Sequence, residues 1–413
     1  MSESSANHGS MSRPPSIVLA AGGTAGHVEP ALCLADEIVR QLPTARITVI
    51  GTDRGLEATL VPARGYRLVQ LPAVPMPRRA SADLVRLPRR VQVAARLAGA
   101  ELATAAADVV VGFGGYGALP AYLAARRSRI PLVIHEANAK AGLANRVGAR
   151  LTSFVYASYP QALPGATAMG LPLRPSIANL DRPAMRAQGR AWFGLPEEGP
   201  TLLVFGGSQG AQHINAVLAV TVEALLAAGI SVLHAYGQAN VAPEQRQGYV
   251  PVPFIDRMDL AYAAADFALT RAGAMTCAEL AAVSLPAAYV PLPIGNGEQR
   301  MNALPTVRAG GGLLVENRDL TAEWLLATIP QLLHDDERIA RMGQAAGRLG
   351  VRDAAPQLAS IVLQLARSRP ASRAHDAWRD GELSDAQLGD GQLNDGQLND
   401  GQSDDGKARD DGR

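Results

Sequence analysis

A strand-like segment that runs into a glycine turn occurs twice in this chain, as "SIVLAAGGTAGH" at 16–27 and as "TLLVFGGSQGAQ" at 201–212. In each copy a helical pattern follows the turn. Glycines let the backbone bend sharply from strand to helix, and the first N–H groups of that helix have no carbonyl partner of their own. Such a turn is a natural seat for an anion. A chain that restarts the unit at residue 201 folds as two strand–turn–helix domains in tandem.

The rest of the pattern agrees. Strands are expected at 16–21, 46–51, 67–71, 108–113, 131–135 and 153–157, and again at 201–205, 230–235, 250–253, 266–270, 286–291 and 312–315, with helical periodicity between most of them. Alternating β and α segments imply parallel sheets covered by helices. With 413 residues the chain is too long for one ordinary core. The expected fold is α/β, two doubly wound Rossmann-like domains facing across a cleft. The first domain is expected over 16–170 and the second over 171–369, with a last helix able to pack back on the first. A disordered segment is expected at either end, 1–15 and 370–413. Ligands of such sheets bind at the carboxyl ends of the strands, so the chemistry is expected in the cleft.

Charge sets the last segment apart. From residue 373 onward there are 11 Asp/Glu and 5 Lys/Arg, a net −6, which leaves +7 on the body of a chain whose overall charge is +1. The "DGQLN" repeats at 390 and 395 supply almost no large apolar side chains, too few to build a core. Cys33 and Cys277 lie far apart with no metal-ligand spacing, which points to a reducing compartment and away from a disulfide or zinc framework. The polar N-terminus lacks the apolar core of a signal peptide, and no segment is apolar enough to span a bilayer. A cytosolic protein is expected.

Three glycine turns, "GGTAGH" at 22–27, "GFGGYGALP" at 112–120 and "GGSQGA" at 206–211, favour a ligand with several phosphates, or two ligands. His27 stands where a dinucleotide fold has a glycine, either as a titratable group beside a phosphate site or as a helix cap. Ser208 can cap its helix or reach a phosphate. In "HEANAKAGLANR", His135, Glu136 and Asn138 mark the exit of a strand into the cleft. The bland alternative is a turn that uses Asn138 for its geometry and Glu136 as a cap. Because no other acidic group is expected near the first-domain turns, the functional reading is preferred.

In "RAGAMTCAEL", Thr276 and Glu279 share one helix face, and a lone carboxylate in an apolar helix suits ribose hydroxyls. In "GNGEQRMNALP", Glu298, Gln299 and Asn302 are of the kind that reads sugar hydroxyls. The body has no Asp-x-Asp metal motif, and Asp256 and Asp259 have the wrong spacing, so no metal is expected. Residues 75–98 carry six arginines against one aspartate, interleaved with Leu, Val and Ala. That composition suits either a solvated helix face or docking on an anionic membrane. Nucleic acid is not expected, for want of aromatics or a known module.

These motifs, in this order over residues 16–365, resemble the MurG family of peptidoglycan glycosyltransferases, down to "GGYGALPA", "GGSQGAQHIN" and "GNGEQRMNALP". The resemblance implies GT-B architecture and a metal-independent, cofactor-free, inverting reaction. N-acetylglucosamine would pass from UDP-N-acetylglucosamine to the 4-hydroxyl of the muramoyl sugar of undecaprenyl-diphospho-N-acetylmuramoyl-pentapeptide. It also implies peripheral attachment to the cytoplasmic side of the cell membrane. Carried over by position, His27 is the catalytic residue. Thr24, Ala25, Gly26, Asn138, Arg174, Ser208, Ile255, Ala274, Met275, Thr276 and Gln299 contact the donor, and Glu279 binds its ribose. Gly22, Gly23, Gly114, Gly115 and Tyr116 are left for the acceptor diphosphate, and Arg86, Arg89, Arg90 and Arg96 for an anionic membrane. Three departures stand out: Ala25 replaces a common glycine, "HEAN" replaces a Gln before Asn138, and "GEQR" replaces paired glutamines. The competing expectations are another GT-B UDP-sugar enzyme (an epimerase or a lipid glycosyltransferase), a nicotinamide dehydrogenase using Asp53, and a non-catalytic nucleotide-binding scaffold.

Overall fold

The structure, a computed structural model, describes residues 13–52, 55–74, 82–207, 211–293 and 296–368. Asp53, Ser208 and the terminal segments 1–12 and 369–413 lie outside the described residues.

Every residue of β1 (Ser16–Ala21) is buried, as a central parallel strand covered on both faces requires. Its neighbours are β2 (Arg46–Thr52), β3 (Arg67–Leu71), β4 (Val109–Gly114), β5 (Leu132–Glu136), β6 (Phe154–Ala157) and β7 (Thr167–Ala168). They form a seven-stranded sheet in the order β3-β2-β1-β4-β5-β6-β7. The second half contributes β8 (Thr201–Phe205), β9 (Ser231–Ala235), β10 (Tyr249–Val252), β11 (Phe267–Thr270), β12 (Ala287–Tyr289) and β13 (Gly312–Leu314). Its six-stranded sheet runs β10-β9-β8-β11-β12-β13. All pairings named in either sheet are parallel.

All twelve expected strands are present, and β7 is an additional short one. The segment expected at 286–291 shortens to Ala287–Tyr289 because Pro286 and Pro291 flank it and cannot donate to a ladder. In both sheets the strand order reverses direction beside the first strand of the half, at β1/β4 and at β8/β11. These are the two places where a doubly wound sheet opens a crevice.

Alternation along β1 divides the core. Ile17 and Leu19 pack with Val49, Val109 and Val133 against the helix Ala25–Gln41, while Val18 and Ala20 pack with Val110 and Ile134 against the helix Ala118–Arg127. Each such buried Val, Leu or Ile side chain contributes about 1.5–3 kcal/mol. The last helix, Ala354–Arg367, belongs to the first half although it follows the second half in sequence. Leu358, Ala359, Val362, Leu363 and Ala366 line one stripe of it and join the cluster around Ile17 and Leu19. The chain therefore crosses between the halves twice. The crossings touch: a Cβ built on Gly170 would lie 2.6 Å from Val351, and Gly170 adopts φ +79°.

Candidate active site at two switch points

At the β1/β4 switch point the first two glycine turns are in contact. A Cβ on Gly115 would fall 2.0 Å from the Gly22 carbonyl oxygen, and Gly115 has φ +88°, so only glycine fits there. The helix Ala25–Gln41 starts from Thr24, whose side chain makes no capping bond to the backbone. His27 stands in the first helical turn, its backbone N–H 3.1 Å from the Thr24 carbonyl. Its Nδ1 lies 3.0 Å from Thr24 Oγ1, so the ring is oriented by a hydroxyl and does not serve as a cap. A Cβ on Gly114 would come within 3.3 Å of His27 Cδ2, so the imidazole lies against the second glycine turn. Burial pushes the His27 pKa below its ordinary value, while the charges of Glu57 and Glu298 act in the opposite direction.

Glu57 was not singled out in the sequence, and it corrects the expectation that no other acidic group lies near the first-domain turns. It is fully buried at the start of the helix Glu57–Ala63. Its Oε1 accepts from the Thr52 N–H and the Thr52 hydroxyl, both at 2.7 Å, and its Oε2 accepts from the Gly23 N–H at 3.0 Å. The Gly23 N–H, assigned from sequence to the acceptor diphosphate, is therefore already held by a carboxylate of the chain itself. Only the glycines around "GTDRGLE" signalled this seat in the sequence.

Glu136 and His135 tie the structure together. Glu136 Oε1 accepts from the Asn138 N–H at 2.9 Å, and Oε2 from Asn145 Nδ2 at 2.9 Å and the Gly142 N–H at 3.2 Å. Asn145, also missed in the sequence, accepts from the Tyr122 hydroxyl at 2.8 Å, and that hydroxyl accepts from the Gly114 N–H at 2.9 Å. This buried chain of bonds fixes the second glycine turn to the end of β5. Burial pushes the Glu136 pKa up. His135 Nε2 lies 2.7 Å from the Gly170 carbonyl, and burial lowers its pKa to about 4.

The β8/β11 switch point has a different character. β11 ends at Thr270, and Gly273 precedes the helix Ala274–Ala282, which has no acidic residue in its first turn. Ala274, Met275 and Thr276 form that first turn, Ala274 buried and the other two half-buried. Glu279 lies buried a turn further on, where Arg174 Nη2 donates to its Oε1 at 3.1 Å and the Tyr262 hydroxyl donates to its Oε2 at 2.7 Å. The carboxylate expected to face a ribose is thus enclosed by two donors of its own half. Burial raises its pKa against the opposing effect of Arg174. Ile255 is buried, and Gln299 accepts from the Leu292 N–H at 3.0 Å.

The sequence suggests a sugar-reading amide at Asn302, but the structure buries it between the halves. Its Oδ1 accepts from the Ala139 N–H at 2.8 Å, and its Nδ2 donates to Asn138 Oδ1 at 3.3 Å and the Ala272 carbonyl at 3.2 Å. Beside it, Lys140 Nζ donates to the Asn296 carbonyl at 2.7 Å. The structure thus brings His27, Gly22, Gly23, Gly114 and Gly115 together at one switch point. It brings Arg174, Glu279 and the 274–276 turn together at the other, and Asn138 joins the two through Asn302. Thr24 and Tyr116 are exposed beside the first, with Gly26 in its helix. Ala25 opens that helix.

Away from both, the helix Ala82–Thr104 exposes Arg86, Arg89, Arg90 and Arg96 around the exposed Val93 and Leu97. None of these four arginines forms an ion pair among the described residues. No described helix is long and apolar enough to cross a membrane. Cys33 and Cys277 are free and buried.

Comparison with known proteins decides the family. Residues 17–157 match the glycosyltransferase family 28 N-terminal domain and residues 201–358 the glycosyltransferase family 28 C-terminal domain. A Mycolicibacterium smegmatis protein named UDP-N-acetylglucosamine--N-acetylmuramyl-(pentapeptide) pyrophosphoryl-undecaprenol N-acetylglucosamine transferase is 54% identical over 379 residues, 89% of this chain and 98% of that protein. A Streptomyces avermitilis protein of the same name is 54% identical over 359 residues, 86% of this chain and 99% of that one. The crystal structure of Acinetobacter baumannii MurG superposes with a TM-score of 0.67 at 25% identity, over 85% of this chain and 100% of that one. The chain belongs to the MurG family. Its two parallel sheets are the paired domains of a GT-B glycosyltransferase, each domain match lying over one sheet.

Proposed function

We propose that this protein transfers N-acetylglucosamine from UDP-N-acetylglucosamine to the muramoyl 4-hydroxyl of undecaprenyl-diphospho-N-acetylmuramoyl-pentapeptide, with inversion. The observation that carries the reading is the 54% identity, spread over both domains, to relatives named for this transfer.

The geometry supports a division of labour. Neutral His27, its Nδ1 engaged by Thr24, takes the acceptor proton on Nε2. The freed oxygen then forms a bond to the sugar C1 as the bond to the UDP phosphate breaks. The leaving diphosphate gains negative charge, which the acid-free helix N-terminus at Ala274–Thr276 favours through its N–H groups and dipole. Glu279 holds Arg174 in place and, as a carboxylate that accepts up to about four bonds, can add a ribose hydroxyl once the cleft opens. In the first half, the N–H groups at the start of the Ala25–Gln41 helix and the Gly114–Gly115 turn receive the acceptor diphosphate.

The arginine-rich helix Ala82–Thr104 docks the enzyme on the cytoplasmic face of the cell membrane, where the lipid-linked acceptor is held. Changing Arg86, Arg89, Arg90 and Arg96 together to glutamine is expected to weaken co-sedimentation with anionic vesicles in a salt-dependent way, by about 1 kcal/mol per arginine. Turnover of a soluble short-chain acceptor should stay near its original value. Unchanged vesicle binding would return this helix to a solvated face. The transfer itself is tested by incubating the protein with UDP-N-acetylglucosamine and the lipid-linked acceptor. UDP release that depends on the acceptor supports the reading, and donor binding without release would leave a scaffold protein.

A further inference from the structure

The carboxylate of Glu57 occupies a place that a doubly wound fold ordinarily gives to a ligand. In a dinucleotide-binding turn the glycine N–H groups face a bound phosphate. Here the Gly23 N–H is met at 3.0 Å by Glu57 Oε2, brought from the start of the next helix. The seat is cleared for it. A Cβ on Gly51 would lie 2.5 Å from Glu57 Cγ, and one on Gly55 would lie 1.9 Å from Glu57 Oε2. Neither glycine has a positive φ, so the absence of a side chain there serves space and not backbone freedom. Thr52 adds two donors at 2.7 Å, which meets the requirement that a buried carboxylate be hydrogen-bonded.

We propose that Glu57 is a positioning residue for His27. Its carboxylate locks the first glycine turn and supplies, from behind that turn, the fixed negative charge that an imidazolium forming at His27 requires. The mechanical link runs from Glu57 to the Gly23 N–H and one residue along to Thr24, whose hydroxyl lies 3.0 Å from His27 Nδ1. The electrostatic link needs no contact, because a charge in a buried site is little screened. The charged groups that act on His27 are Glu57 from the first half and Glu298 from the second, and Glu57 acts more strongly. Glu57 takes the Gly23 N–H alone, so it adds a fixed charge beside His27 and leaves the N–H groups of the helix start to the acceptor diphosphate.

This inference rests on the reading of His27 as the base, but its test does not. The His27 ring protons are followed by NMR against pH in the full-length protein and in Glu57→Gln, Gly55→Ala and Glu298→Gln. Removing the Glu57 charge is expected to lower the His27 titration midpoint, because that charge favours the imidazolium. Gly55→Ala, which pushes the carboxylate from its seat without deleting it, should shift it the same way and serves if Glu57→Gln does not fold. Glu298→Gln should shift it less. In turnover, Glu57→Gln should lower kcat and leave the affinity for UDP-N-acetylglucosamine unchanged, since among the described residues Glu57 bonds to Gly23 and Thr52 of the first half. A folded Glu57→Gln or Gly55→Ala protein whose His27 titrates as in the original overturns the inference and leaves Glu57 a structural brace. If the midpoint moves while His27→Ala retains full turnover, the base assignment fails and the Glu57–His27 link stands.

Discussion

The two switch points are built on one strand order and carry opposite electrical characters. Behind the turn at β1/β4 sit a buried carboxylate, Glu57, and a titratable ring, His27. At β8/β11 the helix Ala274–Ala282 begins without an acidic residue, and the nearest carboxylate, Glu279, is enclosed by Arg174 and Tyr262. A doubly wound sheet supplies the same crevice in both halves. The side chains behind each crevice decide whether its anion seat is joined by a proton acceptor, as at His27, or stands without one, as at Ala274–Thr276. Two cradles of one geometry can therefore serve the two ends of a single transfer.

This contrast can be broken most decisively at His27. His27→Ala is expected to lower the chemical rate by about 10²–10⁴-fold, with the donor still bound at the other switch point. Single-turnover rates beside direct donor titration would measure both, and a loss confined to donor affinity would abolish the division. The pH profile sharpens the same point. A base acts when neutral, so the rate rises with pH through the His27 pKa. Burial lowers that pKa from its ordinary value of 6.5. The rising limb should thus lie below pH 6.5, with a plateau at neutral pH, and the alanine variant should lack the limb. A limb of opposite slope would make His27 a protonated partner of the acceptor diphosphate.

Glu279→Ala tests the other side. Losing a charge-assisted bond to the donor is worth about 1.5–3 kcal/mol, so donor affinity should fall tenfold or more. The same change leaves Arg174 without its partner, and the melting temperature should fall as well. Unchanged donor affinity in a folded variant would make Glu279 purely a holder of Arg174. Asn302→Ala removes the amide that joins the two crevices. It exposes the unmet needs of the Ala139 N–H and the Ala272 carbonyl, a loss of about 1–3 kcal/mol in stability by denaturant titration. No loss would mean that water replaces the amide at no cost. The smallest effect is expected from deleting residues 373–413, whose composition cannot supply a core. Melting temperature and turnover should hardly move, and a large drop would show that this segment packs on the body.

The architecture was legible because its signals are local. Apolar runs bounded by glycine and proline marked twelve strands, and the repeated glycine turn marked the two halves. β7, two residues long, carries no such signal. The site was legible only where a motif is contiguous. His27 and the 274–276 turn follow strands directly, so their place at a crevice is fixed by the βα turn itself. Glu57 is brought to its turn by the β1–β2 pairing, from 34 residues away in sequence, and nothing in a helix start distinguishes a buried carboxylate from a solvated one. The motif sets Asn302 at the cleft, and the structure shows its amide already bonded to Ala139, Asn138 and Ala272. Spacing says that an amide faces a crevice, and it does not say whether protein groups already meet both of its ends.

The contact between Gly170 and Val351 sets how the halves can move. A single connecting strand would allow one half to swivel in any direction, like a ball in a socket. Two connecting segments lying side by side would behave like the two pins of a door, leaving one rotation cheap and the others stiff. Displacement then grows with distance from the pins. The Gly170 carbonyl, bonded to His135, lies at the pins and would scarcely shift, while groups far from it would sweep the longest arcs. The missing side chain at residue 170 is the clearance in that joint, and a methyl group there would meet Val351 at 2.6 Å and wedge the door at one angle.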